Sequence, residues 1–177
     1  MIVLEGCDCA GKTTIAIELA RRMVETGRLR RFEKYGLLPD WWDYHHMYVR
    51  SCEEWSIIDR FVVSEYVYGL LWRGGANKEL TKRVKTVSQA MNDVSAVTVY
   101  VRPSIWVIEK RLKERGDPLV KIDDINHVYS WYDSYLARER CAVTNTPVVQ
   151  VDGENVHEEC DKIMDVYLEL MENTKGA

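Results

Sequence analysis

The eight residues Gly6-Cys7-Asp8-Cys9-Ala10-Gly11-Lys12-Thr13 constrain this chain more than any other stretch. They fit G-x-x-x-x-G-K-[ST], and their context gives the match weight. The unbroken apolar run Ile2-Val3-Leu4 precedes them, and a helical pattern follows. An apolar run without alternation suits a strand buried on both faces of a parallel sheet. Ile15, Leu19 and Met23 recur at helical spacing, flanked by Ala16 and Ala20, and Gly27 ends the pattern as a C′ glycine does. The residue types explain the loop. Gly6 and Gly11 let backbone N–H groups turn inward toward phosphate oxygens, and the helix N-terminus beyond them favours an anion. Lys12 reaches the β- and γ-phosphates, and the Thr13 hydroxyl can bind Mg²⁺. The segment predicts nucleoside triphosphate binding by Gly6, Cys7, Asp8, Cys9, Ala10, Gly11, Lys12, Thr13 and Thr14. Alone, it does not separate phosphoryl transfer from hydrolysis or a binding switch.

The rest of the chain alternates strand and helix patterns. A second strand is expected around 31–36, and a short helix within the aromatic, charged stretch 37–54. Trp55-Ser56-Ile57-Ile58-Asp59 reads as a buried strand ending on a carboxylate. Two helices follow, one from near Ser64 to Gly74-Gly75, the other with Asn77 as N-cap and Leu80, Val84, Val87 and Met91 on one face. Ala96–Val101 is a β-branched strand, and Pro103 suits the first turn of the next helix, which carries Ile105, Ile108 and Leu112 inward. A polar stretch leads to a helix with Ile125, Tyr129, Tyr132 and Leu136 on one stripe. Pro147–Val151 is the last strand, and the final helix buries Val156, Cys160, Ile163, Tyr167 and Met171. This order predicts an α/β fold, a five-stranded parallel sheet with helices on both faces. Residues 1–177 form one domain, with a lid segment expected at 115–124.

Composition narrows the class. The chain has 177 residues, one domain's worth, with 46% hydrophobic and 29% charged residues, which excludes a disordered tail. The formal charge of −4 lacks the basic surplus of a general nucleic-acid binder, so nucleic acid is not the favoured partner. Apolar runs fall far short of the ~18 residues of a membrane helix. No basic n-region with a long apolar stretch opens the chain, so a signal peptide is not expected. The 5 cysteines are scattered without a metal-type pair, which suits reduced thiols and a cytoplasmic location. Adjacent His45-His46 lack a third ligand at zinc spacing.

Asp59-Arg60 stands at a strand's carboxyl end, where open α/β sheets place their ligands. A carboxylate there can hold Mg²⁺ or orient an acceptor hydroxyl, and the arginine can clamp a phosphate. Arg111 and Arg115 share a helix face at i, i+4, and two arginines at a closing edge can cancel transition-state charge. Phe61, beside Arg60, is the leading candidate to stack on an acceptor base, with Tyr66, Tyr68, Trp72, Trp41, Trp42 and Tyr44 as further aromatics. Cys7 and Cys9 lie near a helix N-terminus, where thiol pKa falls, so oxidation at the loop is an expectation to check.

These segments resemble the thymidylate-kinase-like group of nucleoside and nucleotide kinases. The resemblance runs through Glu5–Thr14, Asp59-Arg60-Phe61, Ser64-Glu65-Tyr66-Val67-Tyr68-Gly69, Val99–Pro103, Arg111–Asp117 and the closing strand–turn–helix from Pro147. It spans nearly the whole chain in the expected order. It implies a three-layer, nucleoside monophosphate kinase-like P-loop architecture, ATP as donor with Mg²⁺, and a nucleotide or nucleoside acceptor. By resemblance, Asp8 helps steer the phosphates, Asp59 acts with Mg²⁺ or the acceptor, Arg60 contacts the transferring phosphoryl group, and Arg111 and Arg115 are lid arginines. Lys12, Asp59, Arg60, Arg111 and Arg115 form the catalytic set, with Thr13 and Asp59 toward the metal. The short S-E-x-V-Y-G segment is similar to versions in bacteriophage-encoded relatives, which would place the protein in the host cytoplasm. The family's dimer habit carries over by analogy, with the apolar helices after Asp59 as the interface.

The chain departs from that family after its second strand. A Thr-Arg-Glu-Pro-Gly-type segment, whose arginine holds the acceptor phosphate, is replaced by Phe32-Glu33-Lys34-Tyr35-Gly36-Leu37-Leu38-Pro39. Lys34 stands nearest in place, but lysine lacks arginine's bidentate fork. Arg50 and Arg73 are alternative holders. Two other readings stay open. One is a kinase acting on a nucleoside, or on a hydroxyl of a modified base or end in DNA, with Arg28, Arg30 and Arg31 as a basic cluster. The other is a non-catalytic nucleotide switch, against which the lid arginines and Asp59-Arg60 argue.

Overall fold

Strand β1 (Ile2–Glu5) is buried along its whole length, as its unbroken apolar run predicts. It is the middle strand of a five-stranded sheet in the order β2-β3-β1-β4-β5, completed by β2 (Arg31–Lys34), β3 (Ser56–Asp59), β4 (Val97–Val101) and β5 (Val148–Val151). Every strand pair is parallel, with Leu4 beside Asp59 and Val99, and Lys34 beside Asp59. The structure, a computed structural model, describes residues 1–36, 45–115 and 121–175. Its helices are α1 (Lys12–Glu25), α2 (His45–Ser51), α3 (Val62–Arg73), α4 (Lys78–Asp93), α5 (Ile105–Arg115), α6 (Ile122–Leu136) and α7 (Val156–Lys175).

The sheet's pleat divides the core. Ile2 and Leu4 point to one face, where Ile15 and Leu19 of α1 and Ile163 and Tyr167 of α7 cover them. Met1 and Val3 point to the other, against Tyr48 of α2 and Leu80, Val87 and Met91 of α4. A third cluster joins Val63 and Val67 of α3, Ile108 of α5, and Ile125, Val128 and Tyr132 of α6. Helices on both faces of a parallel sheet are the expected three layers. Among the described residues, no helix is long and apolar enough to cross a membrane.

Several boundaries differ from the sequence expectation for physical reasons. Helix α3 starts at Val62 rather than near Ser64, because its capping group comes from another strand: Phe61 holds the N-cap position without a side-chain cap of its own. Pro103 precedes α5 instead of opening it, and the Ser104 carbonyl accepts the first helical N–H bonds, from Val107 and Ile108. Val128 takes the fully buried place on α6 that was expected for Tyr129. Asn77 caps α4 as expected, accepting from the N–H groups of Glu79 and Leu80, each at 3.0 Å. The apolar residues of α3 and α4 offered for a dimer, among them Val63, Val67, Leu80 and Val87, are buried in the chain's own core.

Candidate active site

The carboxyl ends of β1, β2 and β3 open into a cavity of about 1000 Å³, bounded by α3, α5 and the turn after β5. Its floor is the loop between β1 and α1. Gly6 has φ 143°, and a Cβ there would lie 2.4 Å from the Val101 carbonyl oxygen, so only glycine lets the loop leave β1 against β4. Gly11, at φ 102°, opens α1. The Lys12 ammonium is buried and donates to the carbonyl oxygens of Gly6 at 2.9 Å and Cys7 at 2.6 Å. Burial, helped by Arg60, pulls its pKa down to about 8 against Asp8 and Asp59. Asp8, Cys9, Ala10, Gly11, Lys12, Thr13 and Thr14 line the cavity. The Cys7 side chain instead packs into the core beside Tyr100, and burial pushes its thiol up to about 12. That corrects the expected fall in pKa: desolvation exceeds the pull of Lys12.

Next to the loop, the Thr13 hydroxyl donates to Asp59 Oδ2 at 2.8 Å. Asp59 is 1% exposed, and its Oδ1 has no hydrogen-bond partner among the described residues. A buried carboxylate oxygen left over beside a threonine hydroxyl fits a small hard cation. Mg²⁺ suits such a sparse set, because it keeps waters and takes phosphate oxygens rather than an all-protein cage. The described residues contain no cluster of three or more His, Cys, Asp or Glu groups for a metal, and the His45 and His46 rings meet in a T-shaped arrangement, 5.1 Å between centroids. Lys34 reaches in from β2, its Nζ donating to Thr13 Oγ1 at 3.2 Å and lying 3.6 Å from Asp59 Oδ2.

Arg60 turns out of β3 at φ 72°, a left-handed backbone that arginine rarely adopts. Its guanidinium pairs with Asp8 and lies over the Tyr68 ring at 4.9 Å, while the Tyr68 hydroxyl donates to Asp8 Oδ2 at 2.5 Å. Burial raises the Asp8 carboxyl, but Arg60, Lys12 and Tyr68 outweigh it and hold the pKa below the usual value. Arg111 donates to the carbonyls of Cys9 and Ala10, each at 3.2 Å, and Arg115 lines the same cavity one turn on. The lid expected at 115–124 is only partly described. Residues 116–120 lie outside the described residues, and 122–124 form the first turn of α6.

The acceptor-side expectations fare unevenly. Phe61 lines the cavity but is only 2% exposed, with its ring edge against Tyr48 at 4.5 Å. Trp72, stacked on Tyr68 at 4.9 Å and 37% exposed, offers more open aromatic surface. Tyr66 is corrected: it packs against Tyr135 and is not part of the cavity lining. Arg73 is corrected likewise: its guanidinium pairs with the buried Glu65, which lines the cavity, while Arg73 itself is not part of the lining. Arg50 is exposed on α2, away from the lining. Trp41, Trp42 and Tyr44 lie outside the described residues. Arg31 of the basic cluster pairs with Glu33 and Glu53, and Arg28 lies over Trp55.

Sequence reasoning assigned no role to Glu5. It is wholly buried, and burial raises its carboxyl against the hydrogen bonds it receives from Ser64 and Phe61. The signal was present: a carboxylate closing an otherwise apolar strand, directly before the loop glycine. Gly153, at φ 75°, was also missed. A Cβ there would lie 2.9 Å from the Ala10 carbonyl oxygen, so this turn seals the loop from the β5 side.

No family model matches the chain. It is 29% identical, over 149 residues, to the SPbeta prophage-derived uncharacterized protein YorR of Bacillus subtilis, covering 77% of this chain and 82% of that protein. The crystal structure of YorR in complex with phosphorylated GDP superposes with a TM-score of 0.78 at 22% identity, over 97% of both chains. Deoxyadenosine kinase from M. mycoides with bound dATP gives 0.56 at 18% identity, over 93% of this chain and 97% of that one. A gluconokinase from Sinorhizobium meliloti gives 0.56 at 13% identity, over 97% and 93%. The fold is that of P-loop kinases.

Proposed function

We propose that the protein is a kinase that transfers the γ-phosphoryl group of ATP, with Mg²⁺, to a nucleoside or nucleoside monophosphate, in the manner of the thymidylate-kinase-like group. One observation carries the reading: the phosphate loop, the Thr13–Asp59 pair and three arginines (Arg60, Arg111 and Arg115) converge on one cavity that also has an aromatic wall. A binding switch has no use for that many cations around the position of a γ-phosphate, whereas phosphoryl transfer consists almost entirely of positioning and charge neutralisation. The nucleotides bound in the YorR and deoxyadenosine kinase structures support a nucleotide or nucleoside ligand for the same fold.

In this account Lys12 exchanges its two loop carbonyls for β- and γ-phosphate oxygens. Thr13 and Asp59 hold Mg²⁺, which when bound neutralises charge on those oxygens. Arg60 meets the transferring group from the β3 side, and Arg111 and Arg115 meet it from α5. Lys34 takes the acceptor's phosphate, and Trp72 with Phe61 flanks its base. A nucleoside acceptor is the second reading. It is favoured by the pairing of Arg73 with Glu65, which leaves Lys34 as the described cation on the acceptor side of the lining. Residues 37–44 add no lysine or arginine.

The test is acceptor-dependent ADP release from Mg-ATP. The panel holds nucleosides, nucleoside monophosphates including modified pyrimidines, short DNA, and gluconate as a sugar-acid control, with Asp59→Asn alongside. Release with a free nucleoside or its monophosphate supports the proposal and names the acceptor. Release with DNA alone moves the reading to a polynucleotide kinase. Tight ATP binding without acceptor-dependent turnover rejects it.

A further inference from the structure

Glu5 is the last residue of β1, and its carboxylate is turned away from the cavity into the start of α3. Its Oε1 accepts three backbone N–H bonds, from Phe61 at 2.9 Å, Val63 at 3.1 Å and Ser64 at 3.2 Å. Its Oε2 accepts from the Ser64 hydroxyl, which also meets the Tyr132 hydroxyl of α6 at 2.9 Å. The first turn of a helix leaves such N–H groups without intrahelical partners, and a side chain at the N-cap normally satisfies one of them. Here Phe61 cannot, so a carboxylate from the central strand does so, where the helix N-terminus favours negative charge.

This arrangement has a consequence for Arg60. The Arg60 N–H donates to the Leu4 carbonyl at 2.9 Å, so the residue is fixed to β1 on its own account and, one residue later, through Glu5. Between those two attachments its backbone is held at φ 72°. A non-glycine residue keeps such a conformation only where its surroundings over-determine it. Without the second attachment, the segment could relax toward ordinary dihedral angles and swing the guanidinium off its line across the loop.

We infer that Glu5 is the positioning residue for Arg60, holding the turn from β3 into α3 so that this guanidinium faces the γ-phosphate position above the loop. Ser64 and Tyr132 extend the same buried chain to α6. The inference rests on the proposed phosphoryl-transfer role of Arg60. It goes further by assigning a buried side chain outside the cavity lining to the alignment of that arginine.

The test uses the preference for ATP over ADP in binding, a ratio that reports a contact to the γ-phosphate without needing an acceptor, together with turnover. Arg60→Ala sets the reference loss. Glu5→Ala is expected to remove most of the ATP preference that Arg60→Ala removes and to lower kcat on the order of a hundredfold, with ADP affinity within about threefold of the unaltered protein. The double variant is expected to be no worse than Arg60→Ala by more than about twofold, because both act through one guanidinium. Glu5→Gln, which keeps Oε1 for the three N–H groups, is expected to restore most of both quantities. If Glu5→Ala does not fold, Ser64→Ala is read in its place, with a loss of about three- to tenfold expected in both quantities. A folded Glu5→Ala, or failing that Ser64→Ala, with unchanged ATP preference and kcat overturns the inference. So does a double variant whose losses multiply, as they would if Glu5 only stabilised the fold. If no acceptor is phosphorylated by the unaltered protein, the proposed function fails, and the ATP-over-ADP ratio still decides this inference.

Discussion

The Thr13 hydroxyl donates to Asp59 Oδ2 at 2.8 Å and leaves the buried Oδ1 of the same carboxylate without a hydrogen-bond partner among the described residues. A group so placed costs stability unless something cationic or protic meets it in use. The pair joins the phosphate loop to the end of β3 and so unites the two parts of the site.

Asp59→Asn keeps the shape of this pair and removes its charge. We expect a folded protein whose turnover falls by roughly 10²-fold or more, the scale of losing one charge-stabilising group. The loss should lie in the Mg²⁺-dependent step. Titration of ATP with and without Mg²⁺ checks this: the variant should lose the Mg²⁺ enhancement of affinity and retain metal-free binding.

Lys34 and Arg73 should separate cleanly. Lys34 lines the cavity beside Asp59, so Lys34→Ala should raise the KM of a monophosphate acceptor about tenfold or more with donor affinity little changed. Arg73 is paired with Glu65 behind the wall, so Arg73→Ala should act on stability, by about 3 kcal/mol for a broken buried pair. Acceptor KM values with melting curves for both variants provide the check. A nucleoside acceptor would leave Lys34→Ala nearly silent.

The glycines that hold the loop make a graded pair. Gly6→Ala would force a Cβ into the Val101 carbonyl at 2.4 Å and should leave little folded protein. Gly153→Ala meets the Ala10 carbonyl at 2.9 Å with φ 75°, a milder strain on the order of 1–3 kcal/mol. It should fold and bind ATP more weakly, because the loop must shift. Nucleotide titration and thermal unfolding of both variants distinguish the two outcomes.

Asp133 links α6 to the end of β4. It accepts from Arg102 at 2.7 and 2.9 Å and from the Tyr100 hydroxyl at 2.8 Å. The Arg102 hydrogen bond holds its carboxyl below the usual range. With the folded pKa depressed, the contribution to stability is present at neutral pH and is lost as pH falls through that depressed value, below ~4. Asp133→Asn should therefore cost about 1 kcal/mol at pH 7, the low end for a charged hydrogen bond because the pair is partly exposed. Denaturant midpoints of the two proteins should converge below ~pH 4.

Much of this was legible before the structure. The apolar run of β1, the loop motif and the helical spacing of α1 are local signals, and the parallel sheet followed from strand–helix alternation. What failed to show depends on contacts distant in sequence. Glu5 caps a helix 56 residues away along the chain, so the start of α3 carries no local cap and its boundary was misread. The Arg73–Glu65 pair is a nearer case: it lies within α3 at i, i+8, outside the i, i+3 and i, i+4 spacings by which a helical ion pair is read, so Arg73 reads as a cation near the site. The Cys7 thiol looked activated by its helix, because proximity to the helix start is readable in sequence and burial against Tyr100 is not.

The most direct test of the central claim follows the γ-phosphoryl group itself. The protein is incubated with γ-labelled ATP, Mg²⁺ and the acceptor panel, and the label is separated into inorganic phosphate and phosphorylated acceptor. The account predicts that label accumulates in one nucleoside or nucleotide product and that Asp59→Asn removes it. Label found only in inorganic phosphate at a rate no acceptor changes, or retained wholly in ATP, would contradict the account.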